Sequence, residues 1–431
     1  MEILFNTGLE GSPDKVNQLN DFIQRENTLI GLKVDEIKEL FDQISKYMSS
    51  KHCTIQDTLI QNELGFIILW LKKANIEQIL KINFKDYTYL DSPKYSKEDN
   101  TILYARPLGN AVHWIAGNVP VLGVISLFQT LLTKNKSIVK VPKSFKNILS
   151  DILNDLRESD FFKDELRANL EILLNCIMVI YLDRNDERSQ MAISKIADIR
   201  IAWGGAEAIE SISKLPKKIN TKDLIFGPKL SLCYVSKNSV NNYDELKRLC
   251  KSIADDVFAF NQAGCNAPHN IVVEKKFKFS IQEFCNILSE EFDKKAKKSK
   301  QDIDPILGFN LLVRKFLFQS DSFKDVHEGP DNQWNIFTNI SNEIKELESP
   351  LFSRNVFISE IESVNDLPAI LPINVQSIGL KVDEKSKLDV IKILSDFGVD
   401  RFPEIGKMSI YQHPWDGYLP LQQTVKWISA N

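Results

Sequence analysis

One stretch constrains the fold of this chain more than any other. Ala111 to Ala116 is a short apolar run, A-V-H-W-I-A, followed by the tight loop Gly117-Asn118-Val119-Pro120. An apolar segment from Val121 to Leu132 is long enough for a helix, and the turn Thr133-Lys134-Asn135-Lys136 leads to a second strand-like run, Ser137 to Val141, closed by Pro142. Strand, loop, helix, turn and strand at this spacing form a βαβ unit, which demands a parallel sheet with right-handed crossovers and hence an α/β fold. Ligands of such sheets sit at the carboxyl ends of the strands, so Gly117 to Pro120 and Val141 to Ser144 are where a site belongs.

The rhythm continues through a helix end at Glu171 to Asn175 and strands at Ile177–Leu182 and Ile199–Trp203. The second of these strands runs into Gly204-Gly205 and a helix from Ala206 to Leu215. A helix that opens after paired glycines offers free N–H groups and the positive end of its dipole to a phosphate. No G-x-G-x-x-G or G-x-x-x-x-G-K-[ST] follows any strand, so the pair alone is a weak signal. A second region starts with Ser231 to Val235, then a helix from about Tyr243 to Ala259, and a strand from Asn270 to Glu274. At 431 residues the chain exceeds the roughly 250–300 that one core supports. We expect a cofactor domain over 1–229 with a helical lead-in of about 100 residues, a catalytic domain over 230–400, and a segment over 401–431 that returns to the first domain or to a dimer interface.

Composition narrows the function. With 54 Lys plus Arg against 58 Asp plus Glu the net charge is −4, unlike the basic footprint of a nucleic-acid binder. The longest apolar run, Ile172 to Leu182, is interrupted by Asn175 and falls well short of the roughly 18 residues of a membrane span. The N-terminus carries no secretion signature, so a cytoplasmic protein is expected. Six cysteines and five histidines, with no C-x-x-C pair and no histidine cluster, argue against a metal site. The lysines at 294, 295, 297, 298 and 300 read as a solvated helix face.

Cys265 is the candidate nucleophile. It stands in a Gly-Cys-Asn turn between a helix and a strand, where a sulfur is accessible and backbone N–H groups are at hand, whereas Cys176, Cys233 and Cys285 lie in apolar runs. An inert turn cysteine has the same spacing. His269, four residues on, is either its base or a surface histidine. By the same reasoning Asn118 is a turn residue, Lys140 a solvated strand-end lysine and Gly204-Gly205 an ordinary strand-to-helix turn unless a ligand gathers them.

Several motifs in order tip the balance. Arg106-Pro107-Leu108-Gly109 through Gly117-Asn118-Val119-Pro120 resembles the aldehyde dehydrogenase segment that leads into its P-W-N-F-P loop. Lys140-Val141-Pro142-Lys143 is similar to that superfamily's K-x-x-E, Trp203-Gly204-Gly205 falls where its T-G-S turn stands, and Phe260 to Cys265 resembles F-x-N-x-G-Q-x-C around its nucleophile. H-W-I-A-G-N-V-P-V-L-G (His113 to Gly123), the short Cys265 motif, and Trp415-Asp416-Gly417 with Trp427 resemble the LuxC-like acyl-CoA reductases within it.

The resemblance implies a Rossmann-type NAD(P) domain and an α/β catalytic domain. It assigns Cys265 as nucleophile, and Asn118 with the Cys265 N–H as oxyanion donors. Lys140 with Pro142 would meet the adenosine ribose, and Gly204 and Gly205 the pyrophosphate. Two departures matter. Lys143 replaces the glutamate that binds ribose hydroxyls in NAD-preferring relatives, and a cation attracts a 2′-phosphate, so NADPH is expected. Ile225 replaces the glutamate of E-L-G-G-K that activates water, which disfavours hydrolysis. The expected reaction is NADPH-dependent reduction of a fatty acyl-CoA or acyl-protein thioester to the aldehyde. The alternatives are an aldehyde dehydrogenase running oxidatively, or an idle scaffold for an acyl-activating partner such as an acyl-protein synthetase. The resemblance also implies a homo-oligomer built by strand sharing.

Overall fold

The structure, a computed structural model, describes residues 1–7, 15–341 and 344–431. It divides into two compact units, residues 1–227 with 412–431 and residues 228–411.

The strands of the first unit are β1 (Glu2–Asn6), β2 (Lys94–Ser96), β3 (Thr101–Pro107), β4 (Asn110–Trp114), β5 (Lys136–Val141), β6 (Ile177–Tyr181), β7 (Ile199–Trp203) and β8 (Lys222–Phe226). Six of them form one sheet in the order β1-β6-β5-β4-β7-β8, parallel except for β1, which pairs antiparallel with β6. β4 to β7 are rich in Val and Ile and buried on both faces, as a parallel sheet covered by helices requires. The crossover from β4 to β5 is the helix Pro120–Leu132. It starts with proline at its first position, where no N–H is missed, and is buried almost all round. Gly123 lets it approach the sheet, since a Cβ there would lie 2.4 Å from Ile115 Cδ1. The lead-in is not purely helical: β1 opens the chain, and its short apolar segment, E-I-L-F-N, gives little alternation from which a strand is read.

The second unit contains β9 (Leu230–Val235), β10 (Pro268–Glu274), β11 (Lys324–Glu328), β12 (Asn335–Asn339), β13 (Asn355–Ile361) and β14 (Val375–Lys381), ordered β11-β12-β13-β10-β9-β14, with only β11 antiparallel. One face packs on the helices Tyr243–Phe258 and Ile281–Ala296 through Cys233, Ile253, Val257, Ile271, Phe284 and Leu288. Residues 401–411 stay with this unit, so the C-terminal return begins at Gln412 and not at Arg401. The cause is local: Ile378 and Leu380 donate to the carbonyls of Arg401 and Pro403, while the Asp256 carboxylate accepts from the Gly406 and Met408 N–H groups. The last strand, β15 (Val425–Ala430), lies in the first unit and pairs antiparallel with β3, which pairs with β2 to complete a three-stranded sheet. Among the described residues no helix is long and apolar enough to cross a membrane.

Buried imidazoles give the two units different responses to acid. In the first unit, His113 bonds Ser126 Oγ (2.9 Å) and Thr130 Oγ1 (3.3 Å), and burial pushes its pKa down to about 3; His413, also buried, is pushed to about 3. Both stay neutral while an unfolded imidazole gains a proton below about pH 6.5, so their contribution is lost as pH falls through that value; at pH 5 it amounts to about 4 kcal/mol for the pair. In the second unit, His269 (about 4) acts in the same sense. Asp256, raised to about 7 by burial against the backbone N–H groups that lower it, acts in the opposite one, being most favourable in acid. The expected outcome is that between pH 7 and 5 the first unit loses stability steeply while the second changes little. Hydrogen exchange resolved by unit checks it, and equal loss in both would contradict the assignment.

Candidate active site

In the second unit the segment from Phe258 to Pro268 is bent into an unusual shape. The helix Tyr243–Phe258 ends, and Phe260, Asn261 and Gln262 follow with φ of 49°, 51° and 63°. Three consecutive left-handed residues cost about 1–2 kcal/mol each. Side chains hold them there. Gln262 Nε2 donates to the carbonyls of Pro268 (2.8 Å) and Asn355 (2.9 Å), and its Oε1 accepts from the Asn355 N–H (2.9 Å). Arg354, itself buried, donates to Asn261 Oδ1 through Nε (3.0 Å) and Nη2, and to the Ser299 carbonyl (2.6 Å); its guanidinium lies 4.5 Å from the centroid of the Phe258 ring. Phe352, Ser353 and Arg354 are left-handed too, with φ of 59°, 50° and 65°, so two strained triplets clasp each other.

Out of this clasp comes the turn that carries Cys265. Its carbonyl accepts from Ser231 Oγ (2.7 Å), the Ala267 N–H donates to the Gly264 carbonyl (3.0 Å), and Asn266 Nδ2 donates to the Met408 carbonyl (2.9 Å). The backbone on either side of the sulfur is therefore fixed. Cys265 is half-buried, whereas the other five cysteines are buried, and desolvation pushes every one of those thiols up, Cys285 to about 12. A thiolate forms more readily where water reaches the sulfur. The turn stands at the amino end of β10, beside the start of β9, and not at the carboxyl edge to which sheet topology directs a search. His269 is not a surface histidine. It lies in β10, 1% exposed, edge-on to Phe352 at 4.8 Å, with both ring nitrogens unpaired among the described residues and its pKa pushed down to about 4.

The first unit has its own cleft, of about 730 Å³, at the carboxyl ends of its parallel strands. Lys140, Pro142, Lys143 and Gly205 line it, together with Gly117, Asp183 and Arg184. The Lys140 ammonium makes no hydrogen bond or ion pair among the described residues; burial pushes its pKa down, and the nearby Asp183 carboxylate opposes that shift. Lys143 is exposed at the start of a short 3₁₀ turn and is likewise without an ion-pair partner among the described residues. Ser144 Oγ donates to the Gly117 carbonyl (3.0 Å), tying the turn after β5 to the loop after β4 that carries the exposed Asn118. Gly205 caps the helix Ala206–Ser213, and a Cβ there would meet nothing within 4 Å, so the backbone is open for close approach. Gly204 lies behind it, its N–H bonded to the Phe226 carbonyl (3.2 Å), and does not line the cleft. A nicotinamide dinucleotide fits this donor set: two uncompensated ammonium groups and an open helix N-terminus suit its ribose, phosphates and pyrophosphate.

Sequence reasoning missed Arg354, Ser231, Gln262, Asp183 and Arg184. Arg354 and Ser231 reach the turn from distant parts of the chain and carry no local motif. Gln262 sits inside the motif that points to Cys265. Asp183 and Arg184 follow β6 directly, at the strand end where a ligand is expected, and were legible on that ground. Ile225, in β8, is an aliphatic residue with no proton to exchange. Among the described residues no cluster of three or more His, Cys, Asp or Glu side chains is able to hold a metal ion.

Comparison with known proteins adds an independent line. The sequence matches the family profile described as acyl-CoA reductase (LuxC) over residues 29–427. It is 27% identical over 342 residues to a long-chain acyl-protein thioester reductase of Photorhabdus luminescens, covering 77% of this chain and 66% of the relative. It is 25% identical over 381 residues to the protein of that name from Aliivibrio fischeri, covering 86% and 74%. For long-chain acyl-protein thioester reductase 2 of Photobacterium leiognathi the figures are 27% over 333 residues, 75% and 64%. The chain thus spans just under two thirds of the first and third of these relatives. Among solved structures, aldehyde dehydrogenase 21 from Physcomitrella patens, in complex with succinate, superposes with a TM-score of 0.67 at 11% identity over 97% of this chain and 90% of that one. A lactaldehyde dehydrogenase from Escherichia coli gives 0.61 at 13% identity over 100% and 95%. These likenesses show the aldehyde dehydrogenase fold.

Exposure predicts a reactivity order. Iodoacetamide at neutral pH is expected to alkylate Cys265 on the order of 100-fold faster than any other cysteine, because the rest react only after local opening. Peptide mapping after a short pulse checks this, and first labelling at Cys53 or Cys176 would refute it.

Proposed function

Since the chain belongs to the acyl-CoA reductase (LuxC) family and has the aldehyde dehydrogenase fold, we propose that it reduces a fatty acyl thioester, carried on CoA or on a protein, to the aldehyde through a thioacyl intermediate on Cys265, with NADPH as reductant. The observation that carries this reading is the Cys265 turn: the one cysteine that is not buried sits on backbone fixed from both sides.

In the first step the Cys265 thiolate attacks the thioester carbonyl and a carrier thiolate departs, so one C–S bond forms and another breaks. The Cys265 N–H and the Asn118 side-chain amide are the donors assigned to the oxyanion, the kind of interaction worth about 3–4 kcal/mol in the transition state. A thiolate leaves without strong acid assistance, so no residue has to supply a proton. In the second step the thioacyl carbon accepts a hydride, and collapse of the resulting hemithioacetal releases the aldehyde and returns the thiolate. NADPH bound in the cleft of the first unit would supply that hydride. Lys140 and Lys143 would hold its ribose and 2′-phosphate, and Gly205 would leave its pyrophosphate room. Ile225 keeps the thioacyl group for reduction, because it offers water no base.

Mass spectrometry of the intact protein after exposure to a panel of acyl-CoAs, without cofactor, tests the reading. One acyl mass on Cys265 is expected, and none in Cys265→Ser. Full reductase turnover by that variant would overturn it. Acid release from an aldehyde without CoA would instead favour the oxidative alternative. Cofactor choice is tested separately: Lys143→Glu is expected to lower kcat/KM with NADPH roughly 10- to 100-fold, the worth of a charged hydrogen bond, while leaving NADH nearly unchanged. Equal losses with both would remove Lys143 from the 2′-phosphate.

A further inference from the structure

The helix Pro305–Gln319 of the second unit is apolar on both sides. Its inner face buries Leu311 and Phe318 against Phe337 and Phe357. Its outer face is bare: Ile306, Phe309, Leu312 and Phe316 are 75%, 65%, 66% and 70% exposed, and Val313 and Leu317 are exposed beside them. A helix apolar all round is normally buried, and monomers rarely present so much hydrocarbon in one place. The stripe amounts to on the order of 700 Å², close to the roughly 800 Å² that each partner brings to a standard interface.

The order of residues along the helix indicates what covers it. Its apolar stripe centres between Leu312 and Val313. Phe309 and Phe316 stand equally far on either side of that point, and both lie on the exposed face. If two such helices cross antiparallel about a two-fold axis at the centre, each Phe309 faces the Phe316 of the other copy. A contact with an unrelated protein needs no such symmetry, whereas an isologous contact does. The basic residues on this helix are already paired within the chain, Arg314 with Glu348 (2.6 Å) and Lys315 with Glu328 and Asn332, so the face carries no spare charge to steer an oppositely charged partner.

We propose that two copies of this chain associate through the outer face of the helix Pro305–Gln319, antiparallel, with Leu312 and Val313 at the two-fold axis. This contact involves neither the Cys265 turn nor strand sharing. Sedimentation velocity of the full chain tests it. The double variant Phe309→Glu/Phe316→Glu should halve the wild-type mass and weaken self-association at least about 100-fold, with an unchanged far-ultraviolet circular dichroism spectrum because both side chains are exposed in the single chain. In a Cys265→Ser background, Leu312→Cys should form an intermolecular disulfide under mild oxidation, while Glu290→Cys, exposed on another helix, should not. A monomeric wild type, a mass unaffected by the double substitution, or equal cross-linking at both positions overturns the proposal. So does a monomer that binds phosphatidylcholine vesicles through this helix.

Discussion

The clasp between two left-handed triplets, Phe260–Gln262 and Phe352–Arg354, is the constraint from which the second unit's chemistry derives. Six non-glycine residues at positive φ cost several kcal/mol in total, at about 1 kcal/mol or more apiece. That cost is offset by bonds that no relaxed turn would make: three from the Gln262 amide, and those of Arg354 to Asn261 and Ser299. All but the Gln262–Pro268 bond reach across 55 residues or more, and each joins groups that would be stranded if the turn relaxed. Losing one partner leaves a buried donor or acceptor unmet at about 1–3 kcal/mol, so the arrangement is held by several penalties together. A cysteine at the end of such a turn has little freedom of direction, which is the condition under which backbone N–H groups act as preorganised donors.

The first unit solves a different electrostatic problem. Its cleft keeps two lysines without ion-pair partners among the described residues, and one of them, Lys140, is partly desolvated. In a chain with 58 acidic residues to 54 basic ones, most cations find carboxylates; Lys134 and Lys217 in the same unit do. Leaving Lys140 uncompensated except for the more distant Asp183 keeps a binding site in a higher-energy state that an anionic or hydroxyl-rich ligand relieves. Arg200 makes the contrast: fully buried, it is saturated by Asp223, Ser194 and two carbonyls, and it has purely structural work.

The strands β4, β5, β6, β7, β9 and β10 were legible because they are short, continuous apolar runs, whereas β8, β12, β13 and β14 were not read. β7 and the strand-loop-helix-strand run from β4 to β5 fall within a residue or two of where the pattern places them. β1 was not legible, because pairing with β6, far along the chain, makes that segment a strand where local pattern does not. The Cys265 turn was legible as a turn, but the left-handed geometry before it was not, since Phe and Gln, unlike Asn, have no preference for it and the residues that enforce it lie near position 354. His269 misled for a related reason: polar neighbours suggested exposure, whereas the parallel pairing of β10 with β9 and β13 seals it. Local chemistry can be read from local sequence; burial cannot.

The same turn bears on what the proposed chemistry asks of its surroundings. Acyl transfer between thiols is nearly balanced, with a thiolate as both nucleophile and leaving group, so the step asks for an accessible sulfur and donors to the oxyanion and for no proton shuttle. On the proposed reading a histidine beside Cys265 would gain nothing in acylation, and a carboxylate that activates water would divert the thioacyl group to acid before hydride arrives. His113, His269 and His413 are all buried and held neutral, and Ile225 in β8 offers water no base. On that reading selectivity for reduction comes from denying water a base, and rate comes from the rigidity of the turn.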